Sequence, residues 1–172
     1  MDAALILEEL AQGCTSTAAY LSIHNMAAWM VATWATERVR RDWAGSLAAG
    51  TKLASYCLTE ANAGSDAASI ATTARLDGDN YVLNGAKAFI SGAGDTDVLV
   101  VMARTGEAGA GGISAFAVPS DTVGVSFGKN EPKMGWNSQA TRTISFENAR
   151  VPATHLLGAP GEGFGIAMRG LE

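Results

Sequence analysis

Two short segments carry the residue types that could do chemistry. The first is Tyr56-Cys57-Leu58-Thr59-Glu60-Ala61-Asn62-Ala63-Gly64-Ser65-Asp66. A β-prone stretch runs here into a loop of small residues, where Gly64 lets another group approach the backbone closely. Exposed N–H groups at such a strand end, with the hydroxyls of Thr59 and Ser65, form a donor array of neutral-to-positive character. That array suits a phosphate, or a flavin ring that gathers negative charge at N1 and O2 on reduction. The same letters also fit an ordinary loop in which Ser65-Asp66 caps a following turn. The second segment is Gly85-Ala86-Lys87-Ala88-Phe89-Ile90-Ser91-Gly92-Ala93. A strand ending this way can lay Phe89 against a planar ring and aim Ser91 at a heteroatom on its edge. Taken alone, Phe89 reads as a core residue.

The elements that must position these segments fall into two halves. Residues 1–52 read as helices: one capped by Asp2 and running to Gly13, and a second capped by Thr15 or Ser16. In the second, Ile23, Met26, Ala27, Met30 and Trp34 form an apolar stripe at helical spacing. Thr36 and Glu37 start a third helix, which Gly45 is expected to end before a further turn that stops at Gly50. Beyond Lys52 helical periodicity disappears. Strands are expected near 54–59, 71–77, 80–91, 97–104, 112–118, 123–128 and 140–151, with a tight hairpin at Asp77-Gly78-Asp79-Asn80. Val98 to Met102 is apolar on both faces, hence a central strand, and Gly106 to Gly112 reads as a solvated connection. Gly158 to Gly163 forms a turn leading to a helix from Phe164. Only its first turns lie within the chain, which is expected to be a fragment. Helices followed by many short strands give an α+β fold, with a helical segment packed on an antiparallel, barrel-like β domain.

Composition narrows the function classes. Apolar residues make up 48% and charged ones 17% of 172 residues, enough for a core and too ordered for a disordered chain. A formal charge of −5, with basic residues clustered only at Arg38, Arg40 and Arg41, argues against nucleic acid as a partner. Cys14 and Cys57 have neither metal-ligand nor disulfide spacing, so no metal site and a reducing compartment are expected. The N-terminal residues do not read as a signal or transit peptide, and no apolar run approaches membrane length. His24 and His155 lack a paired acid and read as structural.

The first segment resembles the flavin signature of the acyl-CoA dehydrogenase family: an aromatic residue, then x-L-T-E-P-x-x-G-S-D. The second is similar to its partner motif, Trp-Ile-Thr or Phe-Ile-Ser. The spacing between them agrees, as do Gly135-Trp136-Asn137-Ser138, Phe146-Glu147-Asn148 with Val151-Pro152, and the helical stretch from Gly13 to Met26. The likeness spans the chain and is strongest to the isobutyryl branch. Ala61 departs from the pattern by replacing proline, which removes rigidity but no N–H donor.

The resemblance implies FAD as cofactor, held by Tyr56, Cys57, Leu58, Thr59, Gly64, Ser65, Phe89, Ile90 and Ser91. Thr59 and the Leu58 backbone would lie at the pyrimidine end of the ring and Ser91 near N5 and O4. Ser65, and more weakly Leu171 and Glu172, would approach an acyl-CoA thioester. It implies three regions: 1–52 from a helical domain, 53–157 as the β domain, and 158–172 opening a further helical domain. It also implies α,β-dehydrogenation of a short branched-chain acyl-CoA and an electron-transfer flavoprotein as acceptor. The full-length protein would be a homotetramer, cytoplasmic in a bacterium or in the mitochondrial matrix. The family's catalytic glutamate comes from the later helical domain, so no catalytic residue is expected in this chain. Glu60 belongs to the flavin motif and is not a substitute base. The isolated chain is accordingly expected to be inactive and to hold FAD weakly or not at all. Two readings compete: another flavoenzyme of the same fold (a nitroalkane oxidase or a monooxygenase), and a cofactor-free interaction module that keeps the β domain as scaffold.

Overall fold

The computed structural model describes residues 2–171. Three helices come first: α1 (Asp2–Gly13), α2 (Thr15–Trp34) and α3 (Glu37–Ala48). Eight strands follow: β1 (Ala54–Cys57), β2 (Thr73–Asp77), β3 (Asn80–Ser91), β4 (Val98–Arg104), β5 (Ile113–Pro119), β6 (Val125–Phe127), β7 (Thr141–Pro152) and β8 (Leu156–Leu157). Helix α4 (Gly163–Gly170) comes after them. The strands form one sheet in the order β6-β7-β3-β2-β4-β5-β8, with β1 pairing separately to β4. Most pairings are antiparallel. The expected antiparallel domain is refined at two places: β1 runs parallel to β4 over its whole length, and β2 meets β4 in parallel at Thr73 and Arg104. The β2–β3 hairpin turns through Gly78 and Asp79, with Asp77 opposite Asn80.

β4 explains why the sheet and the helices belong to one body. Every residue from Val98 to Ala103 is fully buried. Val98, Val100 and Met102 face a core shared with Met30, Val31, Leu47 and Ile166 of the helices. Leu99, Val101 and Ala103 face a second core with Phe116, Ile144 and Phe146 inside the curl of the sheet. A strand with period-two side chains and apolar residues on both sides has no other stable place. The expected α2 stripe is seen in Ala27 and Met30, both buried and packed on the sheet. His24 is structural, as expected: its Nδ1 accepts from the Ala54 N–H and its Nε2 donates to the Leu47 carbonyl, so one ring joins α2, α3 and β1.

The first helix ends at Gly13 as expected, and helix boundaries differ from the sequence expectations in two places. Gly13 is the last helical residue of α1, and Cys14, rather than Thr15 or Ser16, occupies the N-cap of α2 without a side-chain cap. α3 continues through Gly45, whose missing side chain faces open space, and ends before Gly50, which holds the left-handed conformation at φ +66°. Leu47, buried between α3 and α2, supplies the packing that carries the helix past the glycine. The Gly106–Gly112 connection is mostly exposed but held, because the Arg104 guanidinium donates to the carbonyls of Glu107 and Gly109.

Candidate functional site: a ledge formed by the ends of β1 and β3

The two segments singled out in the sequence lie side by side. Ser55 Oγ donates to the Ser91 carbonyl at 2.7 Å, and the Ala88 N–H donates to the Thr59 carbonyl at 2.9 Å. The links to Thr59 and Ser91 are thus made by their main chains, which leaves both hydroxyls for a partner outside the sheet. β3 can turn toward β1 here because its register with β7 slips between Lys87 and Ile90. That bulge places Phe89 in the left-handed region at φ +57°, with its ring 65% exposed. Such a conformation costs a bulky residue on the order of 1–2 kcal/mol. An aromatic ring that is both strained and pushed into solvent is not serving the core.

The remaining predicted cofactor residues divide by the direction of their side chains. Tyr56 and Leu58 face the helix-side core, with the Tyr56 hydroxyl reaching the Ala167 carbonyl at 3.5 Å. Cys57 and Ile90 face the sheet-side core, and burial pushes the Cys57 thiol up to about 12. Any contact that the buried Cys57, Leu58 and Ile90 make with a ligand on the ledge is therefore through the backbone, while Tyr56 is half-buried. Gly64 and Ser65 lie exposed in the following loop. A Cβ built on Gly64 meets nothing within 4 Å, so no packing within this chain demands a glycine there. Leu171 is exposed just past α4, and Glu172 lies outside the described residues.

Beneath the ledge lies an ion pair that sequence reasoning missed. Lys87, 1% exposed, donates from Nζ to Glu60 Oε1 at 2.7 Å and to the Leu58 carbonyl at 3.0 Å. Glu60 also accepts from the N–H groups of Ala71 at 2.6 Å and Thr72 at 3.0 Å. Burial alone would raise the Glu60 carboxyl; hydrogen bonds from Lys87, Thr72 and Ala71 outweigh it and hold the group below its usual range. Burial likewise lowers Lys87, against the pull of Glu60. Around Glu60 the chain closes a reciprocal backbone pair with Ala63, which brings Gly64 to the surface. Nothing in the local pattern marks Lys87 as interior; only the acid three residues after Cys57 could have suggested a partner.

The donor set fits a flavin. Thr59 and Ser91 each bring a hydroxyl to neighbouring stretches of backbone, the Phe89 ring is exposed, Glu60 is turned inward and paired with Lys87, and Asp66 is engaged by the Ser69 hydroxyl. The ledge thus offers donors and no free carboxylate from these positions, as a ring gathering negative charge requires. Beside it opens a cleft of roughly 260 Å³ lined by Thr17, Tyr20, Gly92, Asp95 and Gln139. Gly92 could be no other residue: at φ +78°, a Cβ would sit 2.7 Å from the Tyr20 ring and 2.8 Å from Thr96. Trp136, also left-handed at φ +55°, borders an apolar groove of about 460 Å³ between α1 and α2. Among the described residues no group of three His, Cys, Asp or Glu side chains could hold a metal, and no helix is long and apolar enough to cross a membrane.

The "Acyl-CoA dehydrogenase, N-terminal domain" model matches residues 1–51, and the "Acyl-CoA dehydrogenase, middle domain" model matches residues 55–149. The chain belongs to the acyl-CoA dehydrogenase family. It is 53% identical over its whole length to a mitochondrial isobutyryl-CoA dehydrogenase of Dictyostelium discoideum, and 52% identical to that of Bos taurus. It superposes on butyryl-CoA dehydrogenase from Megasphaera elsdenii with a TM-score of 0.93 at 39% identity, over 96% of this chain and 44% of that one. The chain spans about 42% of the length of the curated relatives it matches.

Proposed function

We propose that the chain is the part of an FAD-dependent acyl-CoA dehydrogenase that carries the flavin ledge, and that the complete enzyme desaturates a short branched acyl-CoA of the isobutyryl type. Residues 1–52 form the end of its first helical domain, 53–157 its β domain, and 158–172 the entry to a further helical domain. The observation that carries this reading is the juxtaposition of Thr59 and Ser91 around the strained, exposed Phe89. Bound FAD supplies the hydride acceptor. Thr59, the Leu58 backbone, Ser91 and Phe89 would hold its isoalloxazine ring. The loop of Gly64 and Ser65 takes the phosphate-bearing or thioester side, with Leu171 toward the substrate channel.

No side chain on the ledge is a base for the α proton. Glu60 is already bonded to Lys87, Ala71 and Thr72 and faces inward, so proton abstraction falls to a carboxylate from outside these residues. The electron acceptor is an electron-transfer flavoprotein and the complete enzyme a homotetramer. The compartment is the cytoplasm in a bacterial host or, as for the named relatives, the mitochondrion. The test is anaerobic addition of isobutyryl-CoA to the complete polypeptide carrying these residues. Bleaching of a flavin band is expected; a protein that stays yellow with isobutyryl-CoA and consumes oxygen only after an external donor has reduced its flavin would favour monooxygenase chemistry instead.

A further inference from the structure

We infer that Lys87 and Glu60 are positioning residues for the flavin, holding the two walls of the ledge in one fixed relation without touching the cofactor; this rests on the ledge being the flavin site. Lys87 belongs to the β3 wall, two residues before Phe89. Glu60 belongs to the β1 wall, next to Thr59. Lys87 Nζ spans the gap twice, to the Leu58 carbonyl and to Glu60 Oε1. With the Ala88–Thr59 backbone bond, three links converge within three residues of each wall. Glu60 then anchors the pair to a third piece of chain through the N–H groups of Ala71 and Thr72.

A fully buried lysine is an unusual way to fill this space. Replacing a buried ion pair with apolar side chains is often neutral or stabilising, so packing alone gives no reason for this one. What the pair does that a leucine could not is fix direction. Lys87 Nζ fixes where the Leu58 carbonyl points, and therefore how the Thr59 N–H, in the same planar peptide, is presented. From the other side it sets the point at which β3 leaves its register with β7 and turns Phe89 outward. A ring resting on Thr59, Phe89 and Ser91 needs both walls within a few tenths of an ångström. The pair is buried and lies behind the ledge, so it acts through Leu58–Thr59 and through the bulge.

The test compares the complete polypeptide with its Lys87→Met, Lys87→Arg and Glu60→Gln variants, and with Val118→Ala. Val118→Ala is a fully buried control in the sheet-side core whose loss of stability can be matched. Three readouts are taken: FAD affinity, the position of the flavin absorption bands, and amide exchange at Ala88 and Phe89 relative to Val101. Lys87→Met should weaken FAD at least 10-fold, shift the bands, and speed exchange at Ala88 and Phe89 selectively. Glu60→Gln, which keeps the shape, should do the same to a smaller extent and remains available if Lys87→Met fails to fold. Val118→Ala should retain wild-type affinity and bands. Wild-type FAD affinity and spectrum in Glu60→Gln or Lys87→Met, or equal losses in Val118→Ala, would overturn the inference. A wild-type protein that binds no FAD would instead overturn the assignment of the ledge, and the positioning role with it.

Discussion

β4 and the β1–β3 ledge are neighbours in one sheet and follow opposite rules. β4 alternates apolar side chains between two cores, makes a regular ladder with β5 from Val98 to Arg104, and holds no charge before its end. The ledge breaks its ladder with a bulge, buries a lysine, strains a phenylalanine and turns that ring into water. The first arrangement maximises burial and hydrogen bonding. The second gives up both locally and leaves the Phe89 ring in solvent. Strain kept beside a stable strand is the physical mark of a site built for something other than folding.

Mutation can break or sharpen this contrast. The largest effect is expected from Lys87→Met, which strands the Glu60 carboxylate in the interior and should cost about 4 kcal/mol in urea unfolding. Adding Glu60→Gln should recover part of that loss. Leu99→Ala in β4 should cost about 3 kcal/mol through the cavity it leaves in the sheet-side core. Unlike Lys87→Met, it should leave exchange at Ala88 and Phe89 in step with the rest of the sheet. Phe89→Gly reverses the sign: relief of the left-handed backbone should stabilise the fold by about 1 kcal/mol, while FAD binding weakens. A destabilised Phe89→Gly protein would mean the ring is a core residue after all.

Smaller effects separate the two regions by titration. Glu60 is held below its ordinary value of 4.5, so its contribution is complete above that pH and fades as pH falls through the lower folded value. As pH falls below the ordinary value of 4.5 the wild type should therefore lose more stability than Glu60→Gln, measured by thermal unfolding at each pH. The two thiols differ in reactivity. Cys14 is exposed and its thiol is lowered, chiefly by the Thr17 hydroxyl, whereas Cys57 is raised to about 12 by burial. At about pH 8 a thiol reagent should label Cys14 quickly and Cys57 only after denaturation.

The same contrast separates what could be read in the sequence from what could not. β4, the β2–β3 hairpin and the α2 stripe were legible because local periodicity and turn chemistry specify them. The β1 and β3 tips stood out through their small residues and hydroxyls, although the same letters also fit an ordinary loop and a core phenylalanine. The Lys87–Glu60 pair was not, because its partners are 27 residues apart and a lysine in a strand reads as solvent-facing. The inward turn of Tyr56, Cys57 and Ile90 follows from strand alternation, but which face is the core becomes known only once β1 is seen beside β4. The passage of α3 through Gly45 and the bare N-cap at Cys14 were missed for a related reason: tertiary packing overrode local helix signals. The clamp of Arg104 on the carbonyls of Ala68 and Ile70 likewise joins chain distant in sequence.

The most direct measurement is an equilibrium FAD titration of the complete polypeptide beside its Thr59→Ala, Ser91→Ala and doubly substituted forms, with unfolding followed in parallel. The account predicts a yellow wild type, with affinity falling about tenfold for each lost hydroxyl, about 1.4 kcal/mol, at unchanged apoprotein stability. A colourless wild type, or a double variant that holds FAD as tightly as the parent, would contradict it.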